Sequence, residues 1–62
     1  MLGTQLRRLR KRKRWSQECA ARLAGVAMNT WARWERDESN PGLASLEKIA
    51  KALGTTVAEI VK

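Results

Sequence analysis

The sequence predicts an all-α fold, a compact bundle of five short helices. Alanine and leucine outnumber the β-branched residues, proline occurs once, and no run of four or more residues alternates as a half-buried strand would. Apolar residues instead recur three and four positions apart, and glycine follows two of the periodic segments. Because the chain has only 62 residues, we expect a single domain, residues 1–62, with a small and efficient core.

The five helices are expected over 4–13, 17–24, 28–36, 43–53 and 56–61. Local signals place the first two of them. The first carries Leu2, Leu6 and Leu9 on one side, with cations around the rest. Ser16 is a good N-cap for the second helix because its hydroxyl can accept from a free amide of the first turn. Gly25 supplies the left-handed residue that ends this helix.

The segment from the second to the third helix reads as a helix-turn-helix unit, two short helices joined by a tight turn at a glycine. Val26 is the apolar residue of the turn and should point inward. Trp31 and Trp34, three positions apart, mark the inner face of the third helix. Ala27 stands where Ser, Thr or Asp would normally cap that helix, a loss of about 1 kcal/mol. Positions that break a local rule often serve function.

The second half of the chain consists of a loop and two helices. Residues 37–42 are nearly all turn formers. Gly54 should end the fourth helix and Thr55 should cap the fifth. The expected inner faces of these two helices are Leu43, Leu46, Ile49, Ala50 and Leu53 in the fourth, and Val57, Ile60 and Val61 in the fifth.

Positive charge is concentrated in the first part of the chain. Residues 1–36 hold ten Lys and Arg against two Glu, whereas residues 37–62 hold three Lys against four acidic residues. Seven of the cations lie in the segment 7–14. A molecule with one strongly basic half has a preferred orientation toward a polyanion.

Composition argues against several other classes of protein. The chain has no His, no paired nucleophile and base, and no cofactor loop, so an enzyme is not expected and neither is a cofactor. Cys19 is the only cysteine, which excludes an internal disulfide and favours a packing role. No apolar stretch is long enough to span a membrane and no signal-peptide pattern opens the chain, so a cytoplasmic setting without membrane contact is expected.

Four segments in order resemble a known family. They are LRRLRKRKRWSQ, the A-x-x-A-G-V turn, NTWARWE, and NP before LASLEKIAKALGTTVAEIV. The sequence over about 2–61 is similar to the DNA-binding domain of the lambda repressor/Cro-type helix-turn-helix family. The resemblance implies a lambda repressor-like five-helix bundle that grips double-stranded DNA with its second and third helices. It also implies the role of a transcriptional regulator or repressor.

The resemblance assigns roles to three residues other than those expected to contact bases. Gln17, directly after the cap of the second helix, is expected to approach a phosphate. Helix N-termini suit this role because their amides are unpaired and carry partial positive charge. Arg10 is expected to pair with Glu35, which would tie the third helix in place while the free edge of the guanidinium faces a phosphate.

The third helix should present its outer face, the reading face, to base edges in the major groove. The expected base contacts are Met28, Asn29, Ala32, Arg33 and Ala27. The fork of Arg33 matches guanine O6 and N7, although it would also suit a phosphate. Asn29 matches adenine N6 and N7, although it could instead bond locally to the backbone. The apolar members can only pack on thymine methyl groups or let the helix lie deep.

Phosphate contacts are expected on both sides of that helix. They are Gln17, Arg10, Ser16, Thr30, Arg36, Ser39, Asn40, Lys13 and Arg14, while Trp31, Trp34 and Glu35 are expected to be structural. Asp37 and Glu38 depart from the family, which prefers glycine and a polar or basic residue there. Either the loop turns away from DNA, or Ser39 and Asn40 make the contact. Trp31 also departs, since it replaces Ile or Val, and small alanines are expected to make room for it.

Two other functions stay open from the residues alone. A protein-interaction module of antitoxin or adaptor type would explain the acidic loop and the missing helix cap. A cationic, membrane-active peptide built on the first helix would lack a cooperative fold. The apolar residues on the reading face also fit an engineered minimal DNA binder. Double-stranded DNA is the expected partner, without a small-molecule ligand, and the chain is expected to be a monomer that can pair on palindromic DNA.

Overall fold

A computed structural model, which describes residues 2–62, places five α-helices and no β-strand in this part of the chain. They are α1 (Leu2–Arg12), α2 (Gln17–Ala24), α3 (Met28–Glu35), α4 (Leu43–Leu53) and α5 (Val57–Val61). Helix α2 packs on α3 and α4, α1 packs on α3 and α5, and α4 packs on α5. The prediction of an all-α bundle is confirmed, and the bounds of α2 and α4 agree with those expected.

All five helices contribute side chains to the core, among them the alanine-rich face of α2 and the indoles of α3. Its buried members are Leu6, Ala20, Ala21, Ala24, Trp31, Trp34, Leu46, Ile49, Ala50 and Ile60. The three alanines are at most 2% exposed, as is Trp31, so small side chains on α2 leave room for a large one on α3. The rings of Trp31 and Trp34 lie 5.7 Å apart at a 58° tilt, a favourable arrangement for two aromatic quadrupoles.

The helix-turn-helix unit forms from the local signals described above. The hydroxyl of Ser16 accepts a 3.0 Å hydrogen bond from the amide of Cys19 and so caps α2. Gly25 adopts φ +76°, and the amide of Val26 donates to the carbonyl of Ala21 across the turn. Val26 is half-buried against the core. These bonds fix the angle at which α3 leaves α2.

Helix α1 begins at Leu2, two residues before the expected start, because its cap comes from a distant residue. The carboxylate of Asp37 accepts a 3.0 Å hydrogen bond from the amide of Gly3. Gly3 is buried, and a Cβ there would lie 2.6 Å from the carbonyl oxygens of Trp34 and Glu35. Glycine therefore lets the start of α1 approach the end of α3 more closely than any other residue would.

The end of α1 uses a left-handed residue that is not glycine. Arg14 has φ +62°. Its amide donates to the carbonyl of Lys11, and the amide of Trp15 donates to that of Arg10. This bond pattern is the Schellman motif, which usually places glycine at the left-handed position.

Other expected details are also wrong. Leu43 is 65% exposed, because it stands at the end and edge of the apolar stripe of α4, and Val61 is 51% exposed in the last turn of α5. Thr56, not Thr55, caps α5, because the Thr56 hydroxyl accepts from the amide of Glu59, while Thr55 belongs to the turn that ends α4. Helix α3 ends at Glu35, and Arg36 is its C-cap.

Candidate nucleic-acid interface

The outer face of α3 is a short surface of mixed chemistry. Met28, Asn29 and Arg33 are exposed and Ala32 is half-buried, while the two indoles point inward. Met28 keeps half of its surface accessible. The face therefore offers one amide and one guanidinium as hydrogen-bonding groups, flanked by apolar side chains.

The N-terminus of α3 has no side-chain cap. Ala27 is exposed and extended, with φ −72° and ψ 154°, and it makes no cap hydrogen bond. Its carbonyl begins the helix by accepting from the amide of Trp31. The first-turn amides of α3 thus lie at the surface beside the small methyl group of Ala27, where a ligand can approach the backbone closely.

Glu35 is the centre of a hydrogen-bond network that joins three helices. Its carboxylate accepts from Arg10 Nε at 2.6 Å and Nη2 at 3.2 Å, from Gln17 Nε2 at 3.1 Å, and from the indole N–H of Trp31. The Glu35 side chain is 4% exposed and that of Arg10 is 12% exposed. A buried carboxylate with this many donors fixes α3 against both α1 and the start of α2.

The network also sets the protonation of Glu35. Burial alone would raise the pKa of this carboxyl, since it disfavours the charged form. Hydrogen bonds from Arg10, Trp31 and Gln17, together with the positive charge of Arg10, outweigh burial and lower the pKa below its ordinary value. Glu35 is therefore ionised when it holds Arg10.

Arg10 has little of its guanidinium left for a ligand. Besides the two bonds to Glu35, its Nη1 donates to the carbonyl of Trp15 at 2.9 Å. All three nitrogens are thus engaged, and two of the five N–H bonds remain. The geometry gives Arg10 mainly a positioning role and leaves a narrow edge for a phosphate.

Gln17 and Ser16 lie together at the start of α2. Gln17 is half-buried and its amide N–H is directed at Glu35, so a phosphate would meet its other amide N–H or its backbone. Lys13 and Arg14 lie just before this point in the chain and are both exposed. The structure therefore brings four of the expected phosphate contacts to one edge of the helix-turn-helix unit.

At the opposite edge, after α3, both acidic residues of the loop are paired within the domain. Asp37 points back to cap α1, whereas Glu38 accepts from Arg36 Nε at 2.7 Å and from its Nη2 at 3.3 Å. Glu38 also lies 3.9 Å from Arg33 Nε. The hydrogen bond raises the pKa of Arg36 and lowers that of Glu38. The loop carries an anion beside the reading face.

The remaining expected contacts are less prominent. Thr30 and Ser39 are half-buried, while Asn40 is exposed. Sequence reasoning missed Gly3, the left-handed Arg14, and Glu38 as the partner of two arginines. A glycine near the start of a helix was the one available signal for the first, because glycine there usually reports a close backbone approach.

Comparison with known proteins settles the family. A profile of the helix-turn-helix domain matches residues 1–61. The chain belongs to the helix-turn-helix domain family. Within that family, the repressor RstR of cryptic phage CTXphi from Vibrio cholerae is 36% identical over 61 residues, which are 98% of this chain and 55% of RstR.

Solved helix-turn-helix structures agree with the fold. SinR, a master regulator for biofilm formation that was solved in complex with DNA, has a TM-score of 0.91 and 32% identity over the whole of both chains. The DNA-binding domain of the P22 C2 repressor has a TM-score of 0.93 and 27% identity, over 100% of this chain and 82% of that one. The resemblance to the lambda repressor/Cro type is confirmed by these repressors.

The similarity covers about half of the length of related regulators. The chain spans 55%, 49% and 42% of the lengths of three related bacterial and phage regulators. Among residues 2–62, no helix is long and apolar enough to cross a membrane.

Proposed function

We propose that this helix-turn-helix domain binds double-stranded DNA sequence-specifically, with α3 in the major groove, and acts in transcriptional regulation. One observation carries the proposal: Asn29 and Arg33 are exposed on the same helix whose Trp31 and Trp34 are buried. The inward indoles fix the rotation of α3, so the two groups best suited to base edges project outward. Similarity to SinR, which was solved in complex with DNA, supports the same partner.

Each proposed contact has a distinct physical role. Arg33 reads guanine and Asn29 reads adenine through paired hydrogen bonds, while Ala27, Met28 and Ala32 pack against thymine methyl groups. The phosphate contacts position the helix and carry no sequence information. They are Ser16, Gln17, Thr30, Lys13, Arg14, Arg36, Ser39 and Asn40, with a lesser share from Arg10.

Selection of bound duplexes from a random pool tests the proposal. The wild-type protein should enrich one short sequence, and the engagement of five or six phosphates should give a log–log salt slope of about −5. Arg33→Ala should relax the preference at one guanine, and Asn29→Ala at one adenine, each by about 1–3 kcal/mol. Arg8→Ala is the matched control, since Arg8 is an exposed arginine of α1 bonded to Gln5.

Three results would contradict the proposal. Absence of affinity for any duplex at low salt would favour the protein-interaction alternative. Unchanged base preference in both variants would mean that α3 does not read sequence. A salt slope near zero would mean that the proposed phosphate contacts do not form.

We also propose that the domain is a monomer that reads one half-site of about 5–7 base pairs with its one recognition helix. Two copies would bind a palindrome when the half-sites lie about one helical turn apart. Sedimentation of the free protein and of its complexes with duplexes of varied half-site spacing would measure both states. A stable dimer without DNA would contradict this part of the proposal.

A further inference from the structure

Glu38 lies where two arginines of the proposed DNA-binding surface meet. Its two carboxylate oxygens accept hydrogen bonds from Nε and Nη2 of Arg36 in a side-on pair, at 2.7 and 3.3 Å. The same carboxylate is 3.9 Å from Arg33 Nε. The amide of Glu38 donates to the carbonyl of Arg33 at 2.9 Å, so the turn after α3 fixes the backbone from which the carboxylate extends.

This cluster lies at the surface and contributes little to folding. The side chains of Arg33, Arg36 and Glu38 are 58%, 56% and 51% exposed. Exposed ion pairs add little to stability, because water screens them and side-chain freedom is lost. A structural role therefore does not account for an acidic residue beside two cations on a surface that meets a polyanion.

We propose that Glu38 is a specificity-determining residue, an internal anion that competes with DNA phosphates for Arg36 and Arg33. This inference rests on the proposed function and names a determinant within the same surface. On a non-cognate duplex, phosphates are the main acceptors, and Glu38 competes with them for both arginines. On the cognate duplex, Arg33 exchanges a long ion pair for two hydrogen bonds to guanine, while Arg36 stays paired with Glu38 and meets a phosphate through Nη1, which Glu38 does not contact.

The consequence is a larger cost for non-specific than for specific binding. Non-specific affinity is almost entirely electrostatic, so it is the more sensitive of the two to one extra anion and two occupied cations. Glu38 thus lowers the affinity for all duplexes but raises the ratio between the cognate sequence and the rest. The residue restrains binding without contacting a base.

Binding of Glu38→Gln to selected and scrambled duplexes over a range of salt concentrations tests this inference. Fluorescence anisotropy should show roughly tenfold tighter binding to the scrambled duplex and about threefold tighter binding to the selected one. The salt slope on the scrambled duplex should steepen by about 1–2 as one or two phosphates are newly engaged. A loss of folded structure would not produce tighter binding, so the readout separates specificity from stability.

Two further variants keep the inference falsifiable. Glu59→Gln makes the same change in net charge at a carboxylate that is 58% exposed and paired with Lys62, on α5, which packs against α1 and α4. It should leave the ratio of affinities unchanged. Glu38→Asp keeps the charge beside the arginines and should restore the ratio to within about twofold of wild type.

The outcomes separate this inference from the proposed function. Identical behaviour of Glu38→Gln and Glu59→Gln would overturn the role of Glu38 while leaving DNA binding intact. A ratio that rises in Glu38→Gln would also overturn it. Equal binding of the wild-type protein to selected and scrambled duplexes would instead refute the proposed specificity, and the role of Glu38 with it.

Discussion

The carboxylate of Asp37 accepts a 3.0 Å hydrogen bond from the backbone amide of Gly3, and so ties the turn after α3 to the start of α1. Asp37 itself stands at φ +60°, in the left-handed region. Its carboxylate satisfies one free amide and places negative charge at the positive end of α1. This acidic residue beside the reading face therefore stabilises the fold.

Removal of the Asp37 side chain should destabilise the domain. Asp37→Ala loses the cap of α1 and replaces aspartate by a residue that tolerates the left-handed region less well, and the two effects together cost about 1–2 kcal/mol. Asp37→Asn is the matched variant, because asparagine tolerates this conformation and keeps an acceptor oxygen. Urea unfolding should rank wild type and Asn above Ala. Equal stability of Asn and Ala would mean that the Gly3 contact adds nothing.

A methyl group at Gly3 should destabilise the domain, although helix propensity predicts the opposite. Alanine is favoured over glycine within a helix by about 1 kcal/mol. The new Cβ would lie 2.6 Å from two backbone carbonyl oxygens at the end of α3, which cannot rotate away. Overpacking of this kind costs about 1–3 kcal/mol, so α1 must shift from α3.

The control for Gly3→Ala is Gly42→Ala. Gly42 has φ −75°, and no atom lies within 4 Å of a Cβ built there. This substitution should stay within about 1 kcal/mol of wild type. If Gly3→Ala were as stable as Gly42→Ala in thermal unfolding, the close approach of α1 and α3 would be wrong.

Sequence patterns predicted the features that depend on neighbouring residues. Ser16 and Gly25 bracket α2 through bonds within three to five positions, and such bonds follow from residue type alone. The spacing of Trp31 and Trp34 predicts an inward face, and both indoles lie in the core. Thr55 and Thr56 are equally good caps by type, and Thr56 is the cap because Thr55 still belongs to the turn that ends α4.

Features that depend on pairs brought together by the fold were not predictable in this way. The contact between Gly3 and Asp37 spans 34 positions, and no local pattern links the two residues. In the sequence, Glu38 is only an acidic residue that departs from the family pattern, because the partner arginines become its neighbours once the turn after α3 is built. The expected pairing of Arg10 with Glu35 came from the family resemblance, and the structure adds Gln17 and Trp31 to it.

Acid should weaken the domain through Glu35. Because the folded state lowers the pKa of this carboxyl below its ordinary value of 4.5, its contribution is complete above about pH 4.5 and is lost as the pH falls through the folded pKa. Glu35→Gln should destabilise the domain by about 2 kcal/mol at neutral pH, where a charged acceptor is lost. The difference from wild type should shrink in acid.

Unfolding free energies of wild type and Glu35→Gln at several pH values would measure this effect. Glu47→Gln is the control, since Glu47 is exposed on α4 and its replacement should change stability by less than about 0.5 kcal/mol. A constant difference between Glu35→Gln and wild type from pH 7 to pH 3 would contradict the role of the ionised carboxylate.

Arg14 should show opposite effects on folding and on DNA binding. Its φ of +62° suits glycine, so Arg14→Gly should stabilise the domain by about 1 kcal/mol. The same substitution removes an exposed cation beside the start of α2, which under the proposed function should make the salt slope shallower by about 0.9. Arg14→Lys keeps both the charge and the left-handed Cβ, so it should change neither quantity. Thermal unfolding and anisotropy titrations on the same preparations would separate the two effects, and a gain in stability with an unchanged slope would assign Arg14 to the turn alone.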